Sequence, residues 1–325
     1  MTVAVESSSV WRKKVFPIAV YICLAYMVLY VLLGLFGWGQ AATNEQAFGE
    51  ASRWCERVSD GIFREPSNAL SNVGFMVAGL FMLRVLSTDP QDGSGPNQFY
   101  GLTPVAMLYA IAAIWLGPGS MLMHGTHTEW GAWADNLSMV MYIVIPWLIN
   151  VSRMGGWSTR LFFTVYLAII VTYGLGRFLF GGRLGINLDL FGLSIALWFI
   201  SEVLFRYWSP GLRWASGLMG FVVAAVFGIM PWDMAAQPEE YWWVILFWLP
   251  ALLASRPPLA MRTYNPWFVA GVASYLIAFA IWLTGRPENE WCNPDSPIQA
   301  HAIWHLLSAL ATWCFFKFLR TETAG

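Results

Sequence analysis

Charge is scarce in this chain: Asp, Glu, Lys and Arg make up only 11% of its 325 residues, while apolar residues make up 58%. That balance excludes a water-soluble domain of this length and leaves an all-α integral membrane protein as the expected class. A net charge of -1 carries little information by itself, and no nucleic-acid partner is expected. No small-residue cleavage site follows the first apolar run before Gly39, so Arg12, Lys13 and Lys14 introduce an uncleaved helix and not a signal peptide. Long linkers are missing too, apart from 38 to 66, whose mixture of charged and apolar residues suggests an ordered cap on the outer face. Histidine occurs only four times.

What is abundant is apolar sequence in span-length runs. Crossing about 30 Å of hydrocarbon takes roughly 20 such residues. Runs occur near 15 to 37, 67 to 87, 99 to 122, 134 to 151 and 159 to 179, then near 187 to 207, 213 to 231, 241 to 256, 265 to 284 and 298 to 319. About ten transmembrane helices are expected, or nine, since the run at 241 to 256 is short and that at 213 to 231 is bounded by Met230-Pro231. The chain accordingly divides into 1–37 (N-terminus and first helix), 38–66 (the cap) and 67–325 (the remaining helices). Basic residues collect on the cytoplasmic side of membranes. With both termini cytoplasmic, only Arg53, Arg57, Arg64, Arg177, Arg183 and Arg286 of the 18 basic residues fall outside. The acids lean to the outer face.

This topology sorts the cysteines and the histidines. Cys23 and Cys314 fall mid-helix and read as packing residues. Cys55 and Cys292 both fall in outer-face loops, where disulfides persist, and a bridge between them would staple the cap to the segment before the last helix. Ser120 and His124 stand at i and i+4 near the outer end of one helix, and Asp135 opens the next. His301 and His305, also i and i+4, lie on the first turns of the last helix, starting from the same face.

Two imidazoles on one helix and a third from another suit a tetrahedral divalent ion with its fourth position open, the arrangement of catalytic zinc. Such an ion lowers the pKa of its water from about 16 to about 7, and Asp135 would serve as general base and then general acid. An isolated HxxxH pair more often packs or hydrogen-bonds than ligates. Ionisable groups inside membrane helices are costly and functional by default, however, and their gathering with Asp135 at one depth favours a metal. His127, in the turn GTHTEW, is expected as a neighbour that supports the site or touches substrate, since the other three already complete it.

The stretch from Gly119 through Ser120 to His124, Asp135 eleven residues later and His301-x-x-x-His305 together resemble the membrane hydrolase superfamily of alkaline ceramidases, adiponectin-receptor-like proteins and Per1-like lipid remodelling enzymes. Trp54-Cys55-Glu56, followed by Glu65-Pro-Ser-Asn68-Ala-Leu-Ser71-Asn72, looks specifically like alkaline ceramidases. The resemblance implies zinc on His124, His301 and His305, Asp135 as the group that activates water, and Ser120 supporting the metal site or the developing oxyanion. The reaction implied is hydrolysis of the N-acyl amide of a ceramide or related lipid to a sphingoid base and a fatty acid. It also implies a Ca²⁺ site on Glu56, Glu65 and the carbonyl of Trp54, with Asp60 or Asn68 compensating for Arg53, which stands where the family has an acid. The Cys55 to Cys292 bridge has a counterpart in the family. The family's core has seven helices, so the first helix and two of those between 180 and 284 would be additions.

Other readings carry different expectations. A Per1-like ester or phospholipid hydrolase would use the same metal, with Arg177 and Arg183 either holding a phosphate or snorkelling to the interface. A lipid-sensing receptor would hold a structural zinc. A transporter would relay protons, but the ionisable groups gather at one face instead of crossing the bilayer. The expected location is a bacterial inner membrane with the site near the periplasmic face, a membrane lipid as substrate and no obligate protein partner.

Overall fold

Nearly all regular structure in the computed structural model is helical, as expected where apolar surroundings force backbone N–H and C=O groups to pair within their own segment. Residues 2–90 and 95–325 are described, and of the basic cluster at the N-terminus the Lys13 side chain lies outside the described residues. The helices are α1 (Thr2–Gly34), α2 (Pro66–Ser71), α3 (Val73–Thr88), α4 (Pro104–Thr126), α5 (Glu129–Gly155), α6 (Thr159–Phe180), α7 (Leu190–Arg206), α8 (Pro210–Ala215), α9 (Met219–Val226), α10 (Pro231–Ala236), α11 (Leu249–Leu253), α12 (Trp267–Thr284) and α13 (Ala300–Leu319).

Among the described residues, seven stretches are long and apolar enough to cross a membrane: Lys14–Gly34, Pro66–Thr88, Pro104–Thr126, Glu129–Gly155, Thr159–Phe180, Trp267–Thr284 and Ala300–Leu319. The other three of the ten expected runs also form helix but fall short of span length. α7 has 17 residues, and Pro210–Val226 and Trp242–Leu253 are shorter apolar helices. Punctuation explains the shortening. Pro210, Pro231 and Pro250 stand at the first turns of α8, α10 and α11, where proline starts a helix it could not continue. Gly228, at φ 82°, follows the end of α9.

The chain forms two compact units. The first comprises Met1–Ser138 and Arg262–Thr323, and holds every residue singled out by the histidine and cap motifs. Here α4 is approached closely on two sides through glycine. A Cβ on Gly117 would lie 2.8 Å from Asn72 O, and one on Gly119 would lie 2.5 Å from Ser138 Cβ and 2.9 Å from Ala134 O. Small residues of this kind let membrane helices pack backbone to backbone, and here they draw Asn72 and the start of α5 onto the segment that carries Ser120 and His124. α1 joins the same unit through aromatic side chains. Tyr26 and Tyr30 donate to the carbonyls of Pro118 and Ile62, and Tyr30 stacks on Phe63 at 4.9 Å.

The cap from 38 to 66 is fastened to the end of α4 by backbone chemistry. A helix C-terminus leaves four carbonyls without partners. All four at the end of α4 are met by the cap: Glu65 N donates to His124 O at 3.0 Å, Arg64 N to Gly125 O at 3.0 Å, the Arg64 guanidinium to Thr126 O, and Ala42 N to His127 O at 2.7 Å. His127 itself takes the left-handed conformation (φ 50°) that ends the helix. A disulfide joins Cys55 to Cys292 with Cα atoms 5.6 Å apart. Beside it Arg57 N donates to Pro294 O and its guanidinium pairs with Asp295.

The second unit comprises Met139–Met261 with Ala324–Gly325. Asn150 donates to Ser201 Oγ and Glu202 Oε2, tying α5 to α7 in a buried polar contact. Met154, Leu204, Phe205 and Ala254 form a buried apolar cluster nearby in the chain's fold.

Candidate metal centre

α13 presents His301 and His305 from its first two turns, and α4 presents Ser120 and His124 from its last two. All four are buried, as is Asp135 on α5. One ring nitrogen from each of His124, His301 and His305 lies within 4.8 Å of the others, and the Nε2 atoms of His124 and His301 are 3.1 Å apart. Among the described residues this is the group of His, Cys, Asp or Glu that could hold a metal ion. Ser120 Oγ stands 3.5 Å from His305 Nε2.

The hydrogen bonds around the cluster decide which nitrogen each ring offers. Glu65 Oε2 lies 2.9 Å from His124 Nδ1, and a carboxylate only accepts, so Nδ1 carries the proton and Nε2 carries the lone pair. Ser71 Oγ donates to Asn68 O at 2.8 Å and lies 2.8 Å from His305 Nδ1. Its proton being committed, Ser71 accepts from Nδ1–H, and Nε2 of His305 is left unprotonated. Lone pairs thus converge on one buried spot beside a third imidazole, an arrangement that suits a cation. Such outer hydrogen bonds fix the orientation and basicity of metal-binding imidazoles. Ser71→Ala is accordingly expected to lower the affinity of the centre for a divalent metal by about 10- to 100-fold while Ser71→Thr, which keeps the hydroxyl, retains it, as chelator competition would measure.

Above the imidazoles lies Trp54, its ring centre 4.8 Å from that of His124 and 5.1 Å from that of His301. Arg53 lies over Trp54 at 5.0 Å and pairs with Glu45 at 2.5 Å. Glu65 is wholly buried. Its Oε2 also accepts from Asn68 Nδ2 at 2.7 Å, and its Oε1 lies 2.6 Å from His127 Nε2. Burial works against the charged form of Glu65, but the imidazoles of His124 and His127 outweigh it and hold the carboxyl below the usual carboxylate range. Glu56 accepts from the backbone N–H groups of Ser67 and Asn68 at 2.7 and 2.8 Å. Burial raises its pKa, and those two N–H groups oppose the rise. Asp60 is exposed.

The residues of the HxxxH and Ser120–His124 motifs therefore come together, with His127 two hydrogen bonds from His124 through Glu65. Of those expected around calcium, Glu56, Asn68 and Glu65 form one hydrogen-bonded chain, whereas Asp60 stands apart in solvent. Two features are invisible to motif spacing. Ser71 belongs to the ExxNxxSN segment, yet nothing in that pattern says it faces His305, 234 positions away. Glu45, whose Oε2 lies 3.6 Å from His127 Nδ1, belongs to no motif.

A sequence model of one family, described as Ceramidase, matches residues 51–324, a range that includes every residue of this centre except Glu45. No curated protein matches the chain.

Proposed function

This chain belongs to the ceramidase family, and on that premise we propose that it is a zinc-dependent membrane amidase cleaving the N-acyl bond of ceramide or a related N-acyl lipid. The observation that carries this reading is the convergence of His124, His301 and His305 with two of the three rings held in one tautomer by Glu65 and Ser71. His124, His301 and His305 would hold the ion. When bound, zinc supplies Lewis acidity, polarising a carbonyl and making water a nucleophile near neutral pH. Asp135 would take the proton of the attacking water at a carboxylate oxygen and return it to the nitrogen of the departing amine. A C–O bond forms, the amide C–N bond breaks, and the products are a fatty acid and a sphingoid base. Ser120 would donate its hydroxyl to the carbonyl oxygen as negative charge builds there. Trp54 shields His124 and His301 from water.

The same reading puts both termini in the cytoplasm and the centre near the outer, periplasmic face of a bacterial inner membrane, where a lipid amide sits. It also treats α1 and two of the apolar helices between 180 and 284 as additions to a seven-helix core. Basic-residue sidedness supports the orientation. Arg183, considered above for a phosphate group, pairs with Glu240 at 3.3 Å on the surface. The test is a substrate panel with purified protein: ceramide, other N-acyl amides, acyl esters and phospholipids. Release of fatty acid and free amine from ceramide is expected. Cleavage confined to esters or phospholipids would transfer the protein to the Per1-like reading, and bound zinc with no cleavage of any lipid would favour a sensor.

A further inference from the structure

The resemblance to ceramidases brings a calcium site with it, and the side chains of this chain do not fit one. Calcium takes six to eight oxygen ligands at short range. The two buried carboxylates that would anchor it each accept N–H donors on both oxygens. Glu65 meets His124 Nδ1 at 2.9 Å, Asn68 Nδ2 at 2.7 Å and His127 Nε2 at 2.6 Å. Both oxygens of Glu56 accept from the first turn of α2. Asp60 is in solvent. Positive charge already stands nearby, because Arg53 precedes Trp54 and lies over its ring, while the buried Arg64 guanidinium bonds the carbonyls of Thr126 and Gly39.

We infer that His127 does for Glu65 what a cation would otherwise do, so that this hydrolase works without calcium. The inference rests on the zinc amidase reading for its consequence, since Glu65 is the acceptor that orients His124. Without His127, both donors to Glu65, His124 Nδ1 and Asn68 Nδ2, would sit on Oε2, and Oε1 would be left to turn toward other donors. His127 removes that freedom by gripping the second oxygen. The grip is local in origin: the left-handed turn at φ 50° that ends α4, fixed by Ala42 N donating to His127 O, directs the ring back onto the cap. Glu45 Oε2 lies 3.6 Å from the opposite ring nitrogen, beyond hydrogen-bonding range. Glu45, His127, Glu65 and His124 thus form one row of alternating carboxylates and imidazoles, ending at the candidate metal. In this row His127 is a positioning residue, since it acts on the centre only through Glu65.

The experiment uses the purified full chain, zinc-loaded, in calcium-depleted buffer and in millimolar calcium. Metal content by mass spectrometry, unfolding temperature, and zinc affinity by chelator competition are read for the native protein, His127→Ala and His127→Gln. The native protein is expected to carry zinc without calcium and to show the same unfolding temperature and lipid cleavage in both buffers. His127→Ala is expected to lose about 10- to 100-fold in zinc affinity, and His127→Gln, whose amide N–H still reaches a carboxylate, to recover much of it. One calcium bound per native chain with a rise in unfolding temperature overturns the inference, as does unchanged zinc affinity in His127→Ala. Should His127→Ala fail to fold, His127→Gln and the calcium titration of the native protein still decide. A native protein that binds no zinc overturns the amidase reading instead, and the calcium stoichiometry of the same sample tells the two failures apart.

Discussion

His301→Ala is expected to leave a folded protein that neither retains zinc nor cleaves lipid, with kcat/KM down by on the order of 10³-fold or more, about 4 kcal/mol of transition-state stabilisation. Among the three imidazoles His301 is the cleanest to remove. Its Nδ1 makes no hydrogen bond, so truncation takes away ligation without stranding a partner. Substituting His124 would free Glu65, and substituting His305 would free Ser71, so those variants confound loss of metal with loss of the hydrogen-bonded surround. The ring does pack against Trp54, His124 and His305, at 5.1, 4.7 and 4.5 Å between centres, so a modest packing loss is expected. The proper reference for stability is therefore the native protein stripped of metal, since bound ion adds its own stabilisation to the folded state. Metal content and unfolding temperature, measured together with cleavage, check all three statements.

Asp135→Asn carries the second large effect: cleavage falls by about 10²- to 10⁴-fold, the usual contribution of a positioned acid–base group, while zinc content stays at the native level. The pairing of outcomes is what discriminates. Asparagine matches aspartate in shape and still accepts a hydrogen bond, so it preserves the buried setting of the residue beside Ser138, whose Oγ donates to the Asp135 carbonyl. It cannot take up a proton from water. If the variant loses zinc along with activity, Asp135 belongs to the binding of the ion. If it keeps both, the proton is handled elsewhere.

These expectations lean on residues that differ in how far sequence alone could place them. His301 and His305 are legible because i, i+4 on a helix is a local rule, and their apolar surroundings make two buried imidazoles costly unless they serve. Cys55 and Cys292 are legible through sidedness, which depends only on counting spans. Glu65 is a harder case. Its neighbours suggest an oxygen ligand for calcium, but its partners, His124 and His127, arrive because the cap closes over the end of α4, and that closure is written in backbone N–H groups that any residue could supply. Ser71 and Glu45 act across 234 and 82 positions, with no periodicity to reveal them. The apolar runs between 187 and 256 are legible as helix but not in their breaks. Hydropathy averages over Pro210, Pro231 and Pro250, whereas the backbone restarts at each of them.

The first helix, which precedes the matched residues 51–324, also gains a role that composition does not suggest. Tyr30 reaches Ile62 and Phe63 of the cap, a few residues before Glu65, so α1 braces the strip of chain from which the centre is held.

Stripping and restoring the metal tests the central claim most directly. Protein depleted of zinc by a chelator, then returned to one zinc per chain, is assayed at each stage for fatty acid released from ceramide. The account predicts that cleavage disappears with the metal and returns in proportion to zinc bound. Undiminished cleavage by the stripped protein, or none by the zinc-restored protein on any N-acyl lipid, contradicts it.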